Sequence, residues 1–249
     1  MSDEKQPDSR PNLQPPDPSW SEVDAKHDPS FRTAPRFSIL LCTVQNRATL
    51  FAKLHAEILR QSEGKPVEVL VACDNKEISI GKKRQNLLTQ ATGDYCAFID
   101  DDDFISPDYV DSILAALESN PDCVGFKITC TTNGANSQKA IASIRYSQWM
   151  EGVDGFAHAR STYHKTPHLR SIGLKVGFPD LRYGEDRPYS AGLMRHVKTE
   201  SFIDKVLYHY RFRTEPFATK YGLHAGAQPP RIQRTHVDFP RDAKGRRLA

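Results

Sequence analysis

Residues 93–103 read Gly93-Asp94-Tyr95-Cys96-Ala97-Phe98-Ile99-Asp100-Asp101-Asp102-Asp103. Tyr95 to Ile99 is an apolar run too short for a helix, and it stops abruptly at four carboxylates. That pattern is a buried strand ending in a polar tip. Upstream, Ile80 to Ala91 reads as a helix closed by Thr92-Gly93. Before it lie a strand at Val67 to Cys73, a helix at Ala48 to Gln61 and a first strand at Phe37 to Cys42. The Ala48 helix carries Leu50, Leu54 and Ile58 on one face. Downstream, Ser106-Pro107-Asp108 reads as an N-cap, a first-turn proline and a dipole-favoured acid. The helix that follows presents Val110, Ile113, Leu114 and Leu117. The order β-α-β-α-β-acidic turn-α predicts an α/β domain, its parallel sheet covered by helices on both faces. Ligands of such sheets bind at the carboxyl ends of the strands. Three such ends are polar here: Thr43 to Arg47, Asp74-Asn75-Lys76, and Asp100 to Asp103.

Composition narrows the classes. The chain has 249 residues, with 34 Lys and Arg against 31 Asp and Glu, a formal net charge of +3. Hydrophobic residues are 38% and no run approaches the roughly 20 apolar residues of a membrane helix. The first residues lack the apolar core of a secretory signal, so the expected location is cytoplasmic. Five cysteines, an odd number without a CxxC, read as free thiols in a reducing compartment rather than a disulfide framework or a zinc site. Residues 1–36 hold seven of the 17 prolines and few apolar residues, which predicts a disordered arm anchored at most by Trp20 and Phe31. Residues 231–249 hold six basic and two acidic residues and read as a basic tail. The domain is expected between them, at 37–230, in two halves at 37–131 and 132–230.

Three clusters carry chemistry. Asp100 to Asp103 is either a solvated acidic turn or, at a sheet's carboxyl edge, a cation site. Hard oxygen ligands suit Mg²⁺ or Mn²⁺, which take one or two protein carboxylates plus substrate phosphates. Gly81-Lys82-Lys83-Arg84-Gln85-Asn86 opens the second helix, where basic residues and a helix N-terminus suit a diphosphate or simply make an exposed basic face. Gly184-Glu185-Asp186 is either a helix start or a second acidic site able to supply a general base.

Taken in order, Thr43 to Arg47, Asp74, Gly81 to Asn86, Gly93 through Asp103 and Gly184-Glu185-Asp186 resemble the family-2 glycosyltransferases with the GT-A fold. The resemblance covers about residues 37 to 215. It implies a Rossmann-like, mostly parallel sheet flanked by helices, and an inverting, metal-dependent transfer from a nucleotide-sugar, a UDP-sugar, to an acceptor hydroxyl. It implies that Thr43, Asn46 and Arg47 line the nucleotide pocket and that Asp74 bonds base or ribose. Lys83 and Arg84 then face the diphosphate or base. Asp100 and Asp102 form the DxD, with Asp101 beside them in the donor site, Asp100 towards ribose or metal and Asp102 on Mn²⁺ or Mg²⁺. Asp103 supports the donor sugar or the metal shell. Asp186 is the general base and Glu185 holds sugar hydroxyls. His209 occupies a place where some members carry a late metal ligand, although a histidine between Tyr208 and Tyr210 equally suits plain packing.

The acceptor half, 132–230, is less legible. Asn133 to Gln138 reads as a polar loop and Gly152 to Lys165 as a mobile lid. From Tyr208 to Tyr221 aromatics interleave with cations, which suits a sugar groove, core strands or stacking on bases. A saccharide is the expected acceptor, with a modified nucleic-acid base as the alternative. A non-catalytic nucleotide-binding scaffold is the reading from another class, and the retention of both Asp102 and Asp186 speaks against it. A nucleotidyltransferase would open with a Gly-rich loop after strand one, and Thr43 to Arg47 has no glycine.

Overall fold

The computed structural model describes residues 35–214 and 231–236. Three parallel strands form its centre: β1 (Phe37–Val44), β2 (Val67–Asp74) and β3 (Tyr95–Asp100), in the order β2-β1-β3. The near-continuous apolar runs follow from burial on both faces. Phe37, Ile39 and Leu41 pack towards α1 (Ala48–Ser62) and α3 (Tyr109–Leu117). Leu40 and Cys42 point the other way, towards α2 (Ile80–Gln90) and the later helices α4 (Arg170–Val176) and α5 (Asp186–Met194). Two apolar layers thus clamp the sheet. At this scale, burying one large aliphatic side chain contributes about 1.5–3 kcal/mol.

The second half extends the sheet with a mixture of directions. After the short β4 (Phe104–Ile105) and α3 come β5 (Cys123–Thr132), β6 (Ala135–Ala142), β7 (Met150–Val153), β8 (Phe156–Arg160), β9 (His168–Leu169) and β10 (Glu200–Phe212). With β11 (Arg231–His236), the strands run β11-β2-β1-β3-β9-β5-β6-β8-β7, with β10 parallel to β5 and antiparallel to β4. The outermost strand, β11, pairs antiparallel with β2.

Several expectations change here. The helix after the aspartates begins at Tyr109, because Ser106 to Asp108 form a turn that donates Tyr109 N–H to the Ser106 carbonyl. Asn133 to Gln138 is a β-hairpin rather than a loop. Asn133 and Gly134 take φ of 50° and 81°, the left-handed pair that a two-residue hairpin turn needs. Gly152 to Lys165, expected as a lid, holds strand β8 and a buried stretch. Asp154 and Gly155, at φ 53° and 77°, turn β7 into β8, and the following residues 161–166 are buried. Residues 231–236, assigned to the basic tail, supply an edge strand. Arg36, assigned to the arm, is tied to the domain by an ion pair with Asp94 at 2.8 Å. The rest of the arm through residue 34, with Trp20 and Phe31, and the tail from residue 237 lie outside the described residues. All five cysteines are free.

Candidate functional site

The carboxyl ends of β1 and β3 open into a cavity of about 400 Å³. Its lining includes Thr43, Arg47, Lys83, Arg84, Asp100, Asp101 and Asp102 from the parallel half. Trp149, Arg160, His164, Lys165, Tyr183, Glu185, Asp186 and Tyr210 complete it from the second half. The four aspartates share a chain segment but not an environment.

Asp100 is held between two cations. Arg84 Nη2 lies 3.0 Å from one oxygen and Lys165 Nζ 2.7 Å from the other. Burial would raise its pKa, but Lys165 and Arg84 outweigh it and hold the carboxyl far below the usual range. Asp103 is wrapped completely. It accepts from Lys165 Nζ at 2.6 Å, from the Tyr208 hydroxyl at 2.7 Å and from Arg211 N–H at 2.8 Å. Asp101 accepts from the Thr43 hydroxyl and from Arg47 Nη1, both at 2.8 Å. Asp102 is left with the weakest partner, Arg47 at 3.4 Å, and stays partly exposed. Burial, then the Asp100 charge beside it, push its pKa up. A desolvated carboxylate facing like charge is the acid of this run that a cation would relieve most.

Lys83 and Asp74 form an ion pair buried from solvent, and Lys83 Nζ also donates to the Thr43 carbonyl at 3.1 Å. This pair ties the ends of β1 and β2 together. Asp74 is not among the residues lining the cavity, and its carboxylate is paired with Lys83. The N-terminus of α2 is not open to a diphosphate either. The Ser79 hydroxyl accepts from Lys82 N–H at 3.0 Å, and Gly81 N–H donates to the Leu181 carbonyl at 3.1 Å. Gly81 is required there: a Cβ would sit 1.9 Å from the Pro179 carbonyl oxygen.

That docking carries the Gly184-Glu185-Asp186 segment to the cavity. Arg84 Nε lies 3.1 Å from Glu185 while its guanidinium covers the Phe98 ring at 5.2 Å. Burial raises the Glu185 pKa, with Arg84 opposing. Asp186 opens α5, where the helix dipole favours a carboxylate. Its nearest cation is Arg160, at 3.8 Å, which lies flat over the Tyr163 ring at 3.4 Å.

Two candidates fall outside this assembly. Asn46 is exposed in the turn Gln45–Arg47 and is absent from the lining. His209 alternates with Tyr208 and Tyr210 along β10, so it turns to the opposite face from the tyrosines that meet Asp103 and the cavity. It is not placed with Asp102. Three residues went unread in the sequence: His164, Lys165 and Arg160. Their segment has neither helical nor strand periodicity, and only the tertiary fold sets Lys165 against Asp103, 62 positions away, and Arg160 against Asp186. Among the described residues no three His, Cys, Asp or Glu side chains gather as a ready metal cage. No described helix is long and apolar enough to cross a membrane.

Residues 57–172 match the family model of glycosyl transferase family 2. A glucosyl-dolichyl phosphate glucuronosyltransferase of Haloferax volcanii is 27% identical over 124 residues, 47% of this chain and 39% of that protein. The fold resembles that of S. aureus TarS 1-349 in complex with UDP-GlcNAc, with a TM-score of 0.56 and 16% identity over 74% of this chain and 60% of that one. The same TarS segment in complex with UDP matches with a TM-score of 0.54 and 17% identity, covering 71% of this chain and 60% of that one. The chain thus spans about two-fifths of the curated relative's length. The chain has the GT-A fold, and its residues 57–172 are similar to glycosyl transferase family 2.

Proposed function

We propose that the chain transfers a sugar from a UDP-sugar to an acceptor hydroxyl, with inversion at the anomeric carbon and with help from a divalent cation. The observation that carries this reading is the meeting of Asp102 and Asp186 in one cavity, from opposite halves of the chain. The acceptor oxygen bonds to the anomeric carbon as the bond to the diphosphate breaks. Asp186 takes the hydroxyl proton, and the diphosphate leaves with the electron pair. Arg84 and Lys165 keep positive charge beside the site where that negative charge grows. Glu185 holds Arg84 in place. The UDP and UDP-GlcNAc complexes of TarS support the donor class.

The residues fit Mn²⁺ or Mg²⁺ in a specific way. Both Asp100 oxygens are committed to cations and His209 faces away, so Asp102 is the protein ligand that remains. A single carboxylate is enough for a cation that also takes diphosphate oxygens. Bound there, the metal would neutralise the departing diphosphate. Calorimetric titration of UDP, with and without Mn²⁺, checks this. Binding is expected to strengthen with metal, and Asp102→Ala is expected to cost at least about tenfold of that metal-dependent affinity. Absence of UDP binding in either condition would overturn the donor assignment.

A saccharide acceptor is supported by Trp149 and Tyr183, which line the cavity at 52% and 57% exposure. Trp149 rests against His158 with ring centroids 4.9 Å apart, Arg160 lies over its ring at 5.9 Å, and the exposed remainder of the indole suits a sugar ring. Trp149→Ala is expected to raise acceptor KM by about 3- to 10-fold while UDP affinity stays unchanged. Glycosylation of a nucleic-acid base has its support in Arg211 and Arg213, which line the same cavity.

A further inference from the structure

His164 is an unused histidine in the cavity wall. Its side chain is almost fully buried, and its residue is only 3% exposed. Neither ring nitrogen has a hydrogen-bond partner among the described residues. Its backbone is fixed, because its carbonyl accepts from Phe98 N–H at 2.8 Å and ties the segment to β3. Its ring is braced edge-on by Phe98 and Tyr163 at 6.3 and 5.1 Å. Buried polar atoms without partners are rare in folded proteins and cost free energy. His164 lines the cavity, so a ligand bound there is the partner assigned to its unpaired nitrogens.

We propose that His164 reads a hydroxyl of the donor's sugar and so sets which sugar is accepted. The proposal rests on the donor class argued above. The chemistry of the ring selects a hydroxyl rather than a phosphate. Burial, and then the Arg84 cation beside it, hold the imidazole pKa well below its ordinary value, so the ring is neutral. A neutral imidazole offers one N–H donor and one acceptor nitrogen. A hydroxyl matches both, whereas a diphosphate offers acceptors only and is better served by Arg84 and Lys165. The ring's charged neighbours, Arg84 and Asp100, link it through Glu185 to Asp186, the proposed base. A sugar between that base and the diphosphate would come within reach of this corner of the cavity.

The test compares UDP with a panel of UDP-sugars on wild type, His164→Phe and His164→Gln, read by calorimetry and by thermal melting. The wild type should bind at least one UDP-sugar more tightly than UDP. His164→Phe should lose about tenfold for that UDP-sugar and keep its UDP affinity. His164→Gln, which retains a donor and an acceptor, should recover part of the loss. Removing unpaired buried nitrogens should leave the melting temperature of the ligand-free His164→Phe protein unchanged or higher. Equal losses for UDP and UDP-sugar, or a clear fall in melting temperature, would overturn the proposal and make His164 a structural residue. A wild type that binds no UDP compound would overturn the donor reading and this inference together. A wild type that binds UDP and UDP-sugars equally would overturn this inference alone.

Discussion

Asp186→Asn is expected to lower kcat by about 10²- to 10⁴-fold, the range for removing a general base, while UDP affinity stays within about twofold of wild type. The basis is the contrast between two adjacent acids. Glu185 is buried and tied to Arg84 at 3.1 Å, so it is committed to holding a cation. Asp186 has only Arg160 at 3.8 Å and is about one-third exposed on its side chain. It is the acid of the pair free to meet an acceptor hydroxyl. Asn keeps the shape and the helix-start position but cannot take a proton. A loss of about 2.7 to 5.5 kcal/mol in transition-state stabilisation follows from that range. The companion variant Glu185→Gln separates the roles. It should weaken nucleotide binding and lower stability together, since it leaves the buried Arg84 with one carboxylate fewer. If Glu185→Gln alone abolished turnover while Asp186→Asn remained active with an unchanged pH profile, the two assignments would have to be exchanged.

The parallel half of this domain was legible because its strands are buried on both faces. Phe37 to Leu41 and Val67 to Ala72 read as apolar runs broken only by Ser38 and Glu68, and a short strand bounded by polar tips has little other reading. Their tips pointed to the site for the same reason. The second half obeys different physics. The first five residues of β6, Ala135 to Lys139, are all exposed, so its sequence looks like a loop although its backbone pairs with β5. The turn signals were present all the same: Asn133-Gly134 and Asp154-Gly155 are the dipeptides that tight hairpins favour. Residues 161–166 were misread more deeply. Ser161, Thr162, His164, Lys165 and Thr166 look like a solvated stretch, yet all are buried. Ser161, Thr162 and Thr166 are satisfied by one another and by Ser190 of α5, and Lys165 by Asp100 and Asp103, whereas the His164 ring nitrogens have no partner among the described residues. No local pattern announces polar residues buried by partners 28 or 62 positions distant. The same limit explains His209, whose expected role assumed that its side chain faced the cavity, a matter decided by strand alternation.

Lys165→Met is expected to destabilise the fold by about 3–5 kcal/mol, the cost of leaving a buried charge without its partner. Lys165 is 3% exposed and serves two acids at once, Asp100 at 2.7 Å and Asp103 at 2.6 Å. Burial alone would lower its pKa, but the two carboxylates more than reverse this, so the ammonium is charged throughout the working range. Its rings of contact, Tyr208 and Tyr210 at 5.0 and 4.5 Å, exclude water from the cluster. Met fills the space of the stem but returns nothing to the carboxylates. The pH dependence gives the second signature. The folded-state pKa of Asp100 lies far below its ordinary value of 3.8, so its share of stability is present in full above that value and is lost as pH falls below it. Part of that acid-side loss depends on Lys165 and should be weaker in the variant, so the stability gap between wild type and Lys165→Met should narrow on acidification. Adding Asp103→Asn to Lys165→Met removes one stranded carboxylate and should recover a measurable part of the loss in denaturant melts. A single variant as stable as wild type at neutral pH, or a double variant less stable than the single, would mean that Asp103 draws its stabilisation from Tyr208 and the Arg211 amide rather than from the lysine.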